Sequence, residues 1–119
     1  MEIRKRLNQN KSDEDKISMM PFLMKTMSMA LKEFPRLNSL YFPESEFQFE
    51  QHASHNISIA IDSPFGLIAP NVKNCQDKSI VEIDQDLKRL RDLAKDHKIG
   101  VQELTGGTIA ISNIGIFVD

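Results

Sequence analysis

Residues 55–62 read HNISIAID, and this stretch decides the fold more than any other part of the chain. Its three isoleucines alternate with small or polar residues, which predicts a β-strand with one apolar face. Residues 62–66, DSPFG, are of the types that favour a tight turn at the end of that strand. The stretch LIAPNV at 67–72 then predicts a second short strand, and the proline at its fourth position places it at a sheet edge or a bulge.

An amphipathic helix is predicted before this pair of strands. Apolar residues recur there at steps of three and four, which is the spacing of one helix face. They are Ile17, Met20, Leu23, Met24, Met27, Ala30, Leu31 and Phe34. Pro21 fits the first turn of such a helix, and Pro35 makes its continuation past Phe34 unfavourable. The methionines on this helix favour a flexible core face over a methionine-rich groove for a partner.

A second helix is predicted after the strands. Ser79 and Glu82 stand at the spacing of a capping box, which marks its N-terminus. The apolar stripe that follows consists of Ile80, Ile83, Leu87, Leu90 and Ala94. Asp84 and Lys88, four residues apart, predict an i,i+4 ion pair. We expect Gly100 to close this helix as a C-cap glycine.

Two further strands complete the predicted order of elements. A loop from Pro35 leads to a strand at 46–51, and TGGTIAIS at 105–112 predicts the last strand. The residues SNIG at 112–115 predict a turn after that strand. The order helix, strands, helix, strand indicates a two-layer α/β or α+β domain with a mixed sheet.

Length and composition limit the function. The 119 residues are enough for one domain, with 1–16 as a polar lead-in and 17–119 as the core. A net charge of −2, with Lys and Arg interleaved among acids, argues against a nucleic-acid partner. No apolar run approaches the roughly 20 residues of a membrane span. The single cysteine excludes an internal disulfide framework and suits a reducing compartment, and no apolar segment follows the basic N-terminus as in a secretory signal.

Few residues are candidates for chemistry on spacing alone. His52 and His55 stand three apart, which points them to opposite faces of a strand and away from a shared metal ion. We therefore expect structural or surface roles for both, and no metal site. His97 is expected in the last turn of the second helix, where its charge suits the helix dipole. Cys75 has no histidine or second cysteine beside it and is expected to be unreactive, and Gly106-Gly107 precedes a strand rather than a phosphate-binding helix.

Three segments, read together, resemble one family. They are MMPFLMKTMSMALKEFPRLNS at 19–39, HNISIAIDSPFGLIAPNVKN at 55–74 and LTGGTIAISNIG at 104–115. In this order they resemble the catalytic domain of the dihydrolipoamide acyltransferases, the core-forming components of the 2-oxo acid dehydrogenase complexes. The phrases PNVKN and SNIG are most similar to the branched-chain member. The resemblance extends over nearly the whole chain from Ile17 onward.

The resemblance implies a fold like that of chloramphenicol acetyltransferase, a mixed sheet flanked by helices that assembles as trimers and then as hollow shells. It implies transfer of an acyl group from a lipoyl-lysine thioester to coenzyme A in a channel between subunits. Coenzyme A is then a substrate, another domain supplies the lipoyl group, and no metal takes part. The implied partners are further copies of the chain and the dehydrogenase and dihydrolipoamide dehydrogenase components. The implied location is the mitochondrial matrix in a eukaryote and the cytoplasm otherwise.

The resemblance also implies two catalytic residues. In the family a histidine is the general base for the coenzyme A thiol, and a serine donates a hydrogen bond to the tetrahedral oxyanion. Ser112 stands where the resemblance places that serine, although spacing alone favours a strand-end residue bonded to local backbone. The histidine belongs to a His-x-x-x-Asp-Gly motif, and none of the three histidines stands in one. The catalytic base is therefore expected to be absent from this chain.

We accordingly expect a truncated catalytic domain that also lacks its first strand. Such a chain is expected to be inactive alone, and either marginally stable or held by partner chains, because missing strands leave sheet edges and apolar faces uncovered. One alternative is a non-catalytic structural or assembly subunit of the same ancestry. A stand-alone enzyme like chloramphenicol acetyltransferase is a further alternative, but it needs the same histidine.

Overall fold

The structure is a computed structural model that describes residues 2–9, 11, 16–44 and 48–112. Its helices there are α1 (Glu2–Leu7), α2 (Met19–Glu33), α3 (Ile80–Lys95) and α4 (Val101–Leu104). Its strands are β1 (Ser39–Phe42), β2 (Gln48–Gln51), β3 (Ile57–Ile59), β4 (Ile61–Ser63), β5 (Gly66–Ile68), β6 (Asn71–Val72) and β7 (Ile109–Ile111). Single 3₁₀ turns occur at Pro35–Leu37 and Cys75–Asp77.

A three-stranded mixed sheet lies at the centre of the fold. Its strand order is β6-β3-β7, with β6 antiparallel and β7 parallel to β3. Helices α2 and α3 cover one face of this sheet, and their apolar stripes meet its inward side chains. The buried cluster consists of Met24, Ile57, Ile59, Ile61, Val72, Cys75, Ile83, Leu87, Leu90 and Ala94. The mixed sheet with helices packed on it confirms the predicted fold class.

The decisive stretch folds as one long hairpin with an interruption. Ile57 pairs with Val72 and Ser58 with Asn71, and the same register continues where Ile61 pairs with Ile68. The prediction of a single strand over 55–62 was therefore wrong at its start, since β3 begins at Ile57, and at its middle, where β3 ends and β4 begins. Opposite this break lies Pro70, which has no N–H to donate to the ladder. The predicted turn is confirmed at the tip of β4 and β5. The predicted single strand over 67–72 is instead two strands, β5 and β6, with Pro70 between them, and β6 lies at a sheet edge as expected.

An additional strand lies where a loop was predicted. β1 pairs antiparallel with β2, and Tyr41 lies opposite Phe49 with ring centroids 4.9 Å apart. Cross-strand aromatic pairs of this kind stabilise short ribbons, and this pairing is what the loop prediction missed. The predicted strand at 46–51 is confirmed for Gln48–Gln51, and its first two residues lie outside the described residues. Most side chains of this ribbon are exposed on both faces.

The predicted face of α2 was partly wrong. Met24 and Leu31 are buried and Met20 and Met27 pack at the margin of the core, as expected. Three other members of that stripe are exposed: Leu23, Ala30 and Phe34. The residues buried in addition are Pro21, Phe22 and Ser28, so the inward face is rotated relative to the predicted one. Ser28 is inward because it has a buried hydrogen-bond partner, which hydrophobic spacing does not report.

The capping box of α3 is confirmed, and so is its apolar stripe except for Ile80, which is only half-buried, but its predicted C-terminus was wrong. Ser79 accepts from the Glu82 amide and the Glu82 carboxylate accepts from the Ser79 amide. The helix ends at Lys95, and His97, with φ +55°, takes the left-handed position that was assigned to Gly100. The His97 amide donates to Ala94 O and the next amide to Leu93 O, which is a Schellman motif. Gly100 instead begins α4 as its N-cap.

Candidate functional site

Ser112 follows β7 directly and is exposed. Along β7, Ile109 and Ile111 pack against the core cluster, whereas Ala110 and Ser112 are exposed. Because side chains alternate along a strand, Ser112 belongs to the face of the sheet opposite the helices. Among the described residues, no hydrogen-bond partner occupies its hydroxyl. The strand-end position expected from the sequence is thus correct, and the catalytic role that the resemblance implies for Ser112 stays a prediction.

The double glycine before β7 lets the chain pass close over β3. Gly106 has φ +81°, a backbone conformation that L side chains rarely adopt. At Gly107 an added Cβ would lie inside 3 Å of the Ser58 hydroxyl oxygen and would also meet Asn71. Gly106 is therefore required by its backbone conformation, and Gly107 by the close approach of its backbone to Ser58. These two needs explain the GG pair better than a ligand-binding loop does.

Polar side chains hold the segment that leads to Ser112. The Asn56 side chain donates to Gly106 O at 2.8 Å, and the Thr108 hydroxyl accepts from the Asn56 amide at 3.1 Å. Asn71, which is buried, donates to Glu103 O at 3.2 Å and to Thr105 O at 2.9 Å. None of these side chains was singled out from the sequence. They lie in the HNIS, PNVKN and TGGT phrases, which belong to the segments that resemble the family, but no role was predicted for them.

Lys73 adds a charged contact to the same segment. Its ammonium donates a hydrogen bond to Thr105 O. Burial lowers the pKa of Lys73, and the nearby Glu103 carboxylate acts in the opposite direction. The Glu103 carboxylate also accepts from the Gly100 amide at 3.0 Å and lies 3.5 Å from the Arg89 guanidinium. Helix α4 and the turn after it are therefore tied both to β6 and to α3.

His55 and His97 have different surroundings in the structure. His55 is 7% exposed, and its Nδ1 is hydrogen-bonded at 2.6 Å to the hydroxyl of Ser28 on α2. Burial lowers the pKa of His55, and the positive charges of Lys32 and Lys25 lower it further, while Asp77 raises it. His55 therefore has the structural role expected of it. His97 lies beyond α3 rather than in its last turn, which corrects its predicted position, but its amide takes part in the cap of the helix, as a capping role would have it. Its ring centroid lies 4.1 Å from that of Phe65.

The remaining candidates give no catalytic arrangement. Cys75 is fully buried, and this burial raises the pKa of its thiol, as expected for an unreactive cysteine. Within the described ranges, no cluster of three His, Cys, Asp or Glu side chains could hold a metal ion. Nor does that part of the chain contain a helix long and apolar enough to cross a membrane. The exposed serine at the end of β7 stays the candidate that the resemblance implies, and its catalytic role stays a prediction.

Comparison with known proteins gives consistent matches. The sequence model of the 2-oxoacid dehydrogenases acyltransferase (catalytic domain) family matches residues 1–118. The lipoamide acyltransferase component of the mitochondrial branched-chain alpha-keto acid dehydrogenase complex of Caenorhabditis elegans is 47% identical over 100 residues, or 84% of this chain. The corresponding Arabidopsis thaliana protein is 40% identical over 116 residues, or 97% of the chain. A crystal structure of a probable dihydrolipoamide acetyltransferase from Listeria monocytogenes superposes with a TM-score of 0.84 and 30% identity over 99% of the chain.

These matches concern part of each relative. The chain spans 22% of the nematode protein, 24% of the plant protein and 48% of the Listeria chain. The family match nevertheless covers the chain almost from end to end, including the first sixteen residues. The two curated relatives carry the branched-chain name, in agreement with the PNVKN and SNIG phrases. The chain belongs to the family of 2-oxoacid dehydrogenase acyltransferase catalytic domains.

Proposed function

We propose that this chain is part of the acyltransferase component of a branched-chain 2-oxo acid dehydrogenase complex and serves transfer of an acyl group from a lipoyl-lysine thioester to coenzyme A. The observation that carries the proposal is the position of Ser112, exposed at the end of β7 on the open face of the sheet. The identity to branched-chain relatives supports the choice of this complex. Coenzyme A and the lipoyl arm are both substrates, and the lipoyl group comes from another domain.

The proposed role of Ser112 follows from the charge that the reaction develops. The coenzyme A thiolate attacks the thioester carbonyl carbon, a new C–S bond forms, and the carbonyl oxygen becomes an oxyanion. The Ser112 hydroxyl donates a hydrogen bond to that oxygen, which lowers the energy of the tetrahedral state. The oxyanion then collapses, the bond to the dihydrolipoyl sulfur breaks, and that sulfur takes up the proton that coenzyme A lost. The small, exposed side chains of Ala60 and Ala110 leave room on the sheet for an acyl arm.

The proton must be removed from coenzyme A by a base that this sequence does not supply. In the family that base is the histidine of the His-x-x-x-Asp-Gly motif, which is absent from the 119 residues. His55 cannot replace it, because its Nδ1 is engaged with Ser28 and its ring is buried. We therefore expect no turnover from these residues alone. Activity needs a segment that carries the base.

The proposed partners are further copies of the chain, in a trimer-based core, and the dehydrogenase and dihydrolipoamide dehydrogenase components. Exposed apolar side chains on the β1–β2 ribbon support association: Leu40 is 50% exposed and Phe49 is 64% exposed. An isolated two-stranded ribbon is only marginally stable in water, so a covering surface would stabilise it. We place the protein in the mitochondrial matrix if it is eukaryotic, as the names of the curated relatives support, and in the cytoplasm otherwise.

The test is acyl transfer between coenzyme A and free dihydrolipoamide, with isobutyryl, acetyl and succinyl donors. The chain is assayed alone and after completion with the C-terminal segment of a branched-chain relative. We expect turnover only in the completed chain, with preference for isobutyryl. Ser112→Ala should then lower kcat by about 10²–10³-fold with little change in KM, as for loss of an oxyanion donor. Ser18→Ala is the matched control, because the Ser18 hydroxyl is buried without a partner among the described residues.

A non-catalytic structural or assembly subunit remains the alternative, and the same assay separates it. The buried core is intact while none of the three histidines within these residues stands in the base motif, and such a subunit would show this combination. If the completed chain fails to turn over any donor but still associates into a trimeric core, the structural role is correct and the catalytic proposal is wrong. Ready turnover by the 119 residues alone would show instead that a base lies within them.

A further inference from the structure

We propose that Asn56 is a positioning residue that fixes the register of β7 on β3 and thereby sets the place of Ser112, an inference that rests on the proposed function. Asn56 precedes β3 directly and lies beside the chain segment that enters β7. It acts on the reacting atoms only through Ser112. Its own side chain makes no contact with a substrate in this proposal.

The need for such a residue arises from the shortness of β7. Only three pairs join it to β3, from Ile57 with Ile109 to Ile59 with Ile111. A slip by one residue would turn both β7 isoleucines away from the core, so hydrophobic burial opposes it. A slip by two residues would keep an isoleucine facing inward, while moving Ser112 by roughly 6–7 Å along the strand. Side-chain alternation therefore does not specify the register completely.

Asn56 makes the contacts that distinguish these registers. Its carbonyl oxygen accepts from the Thr108 amide at 2.8 Å, and its own amide donates to the Thr108 hydroxyl at 3.1 Å. Its side-chain amide donates to Gly106 O at 2.8 Å, and its side-chain oxygen accepts from the Asn74 amide at 2.9 Å. One residue thus joins the β7 segment to the turn after β6. A shift of β7 by two residues would break the Gly106 and Thr108 contacts together.

A second anchor lies on the other side of the same segment. Asn71 and Lys73, on and directly after β6, both donate to Thr105 O. The intervening Gly106 has positive φ, and Gly107 leaves no room for a side chain over Ser58. The path from Thr105 to Thr108 is therefore held at both ends and has a restricted backbone in between. Asn56 is the member of this arrangement that contacts the β7 side, which makes it the decisive residue for register.

The test compares two variants of Asn56 with a matched control in this chain. Asn56→Ala removes both side-chain bonds, and Asn56→Asp keeps the shape and the acceptor for Asn74 but loses the donor to Gly106. The control is Asn8→Ala, because Asn8 also ties two chain segments by side-chain bonds, to the Ile17 carbonyl at 2.8 Å and amide at 2.6 Å, far from β7 in sequence. NOEs between β3 and β7 report the register, and hydrogen exchange of the β7 amides reports its stability.

We expect both Asn56 variants to show a second set of β3–β7 NOEs and exchange of the β7 amides faster by about tenfold or more, the factor for a lost hydrogen bond of this kind. Asn8→Ala should leave the β7 signals unchanged. Native NOEs with unchanged β7 exchange in both Asn56 variants would overturn the proposal. These measurements need no substrate, so they are independent of the acyl-transfer assay.

The functional consequence is measured in the completed chain. There Asn56→Asp should lower kcat with the KM for coenzyme A unchanged, whereas Asn8→Ala should change neither. A shifted register with an unchanged kcat would overturn the link between Asn56 and Ser112. If instead Ser112→Ala has no effect on kcat while the Asn56 variants still lose the register, the proposed oxyanion role fails and the structural role of Asn56 stands.

Discussion

The Ser28–His55 pair gives the sharpest test of how α2 is held on the sheet. Both side chains are buried, and the Ser28 hydroxyl and His55 Nδ1 are 2.6 Å apart. Ser28→Ala would leave the imidazole nitrogen buried without its partner, which costs about 1–3 kcal/mol. Alanine is a better helix former than serine, and this difference offsets about 0.5 kcal/mol of that cost. We therefore expect the free energy of unfolding to fall by roughly 1–2 kcal/mol at neutral pH.

The assay is urea denaturation followed by circular dichroism at 222 nm, since the chain has no tryptophan. Ser18→Ala is again the control, because it makes the same chemical change next to the same helix at a hydroxyl with no partner among the described residues. It should change stability by less than about 0.5 kcal/mol, as typical substitutions without a specific mechanism do. Equal effects of the two substitutions would refute the reasoning, because the buried pair would then contribute no more than an unpaired hydroxyl.

The same pair predicts a pH dependence whose sign is fixed. The pKa of His55 is lowered from its usual 6.5 by burial first, then by Lys32 and Lys25, with Asp77 opposing them. The unfolded chain therefore binds a proton at a higher pH than the folded chain does. The stabilisation linked to the neutral His55 ring is fully present above about pH 6.5. It is lost as the pH falls from there through the folded-state pKa. Lys32→Gln should reduce the loss of stability at low pH, because it removes one of the charges that lower the pKa of His55. An NMR titration that gives the His55 ring a pKa at or above 6.5 would contradict the predicted pH dependence.

Three further outcomes follow from contacts elsewhere in the fold. Gly107→Ala should destabilise the chain by about 1–3 kcal/mol through overpacking, and adding Ser58→Ala should recover part of that loss in denaturant titrations, because the Ser58 hydroxyl is the nearest obstacle to the new methyl group. Cys75 should react with a thiol reagent far more slowly in the folded chain than in urea, since burial raises its thiol pKa; equal rates would show that it is accessible. Ser79→Ala should cost about 1 kcal/mol in thermal unfolding by removing the capping box, and an unchanged midpoint would show that the box does not stabilise α3.

The elements that the sequence predicted well are those specified by local pattern. The stripe of α3 and its capping box depend on residues three and four apart, and both are present. The alternation in 55–62 likewise predicted which isoleucines are buried, because burial depends on side-chain period rather than on where the ladder breaks. The break itself is set by Pro70 across the hairpin, a partner at a distance that the alternation in one strand does not contain.

Errors at element ends have a different cause. Gly100 was the expected helix stop because glycine tolerates positive φ best, yet His97 adopts that conformation three residues earlier. Its ring lies against Phe65 at the tip of the β4–β5 turn, a contact from a distant part of the chain. The strand β1 was missed for a similar reason, since its pairing with β2 is what orders it. In both cases the observed conformation comes with a contact between distant parts of the chain.

The candidate site likewise has one part that the sequence predicts and one part that it does not. Ser112 could be found because it stands at the end of an alternating strand within a family phrase, both of which are visible in sequence. The residues that hold its strand could not, because the bond from Asn56 to Gly106 O spans 50 positions and that from Asn71 to Thr105 O spans 34. Such bonds join side chains to main-chain atoms, so the residue at the far end can be of any type and leaves no pattern. The candidate serine can therefore be located from the sequence, while the position of its strand depends on asparagines whose contacts only the fold shows.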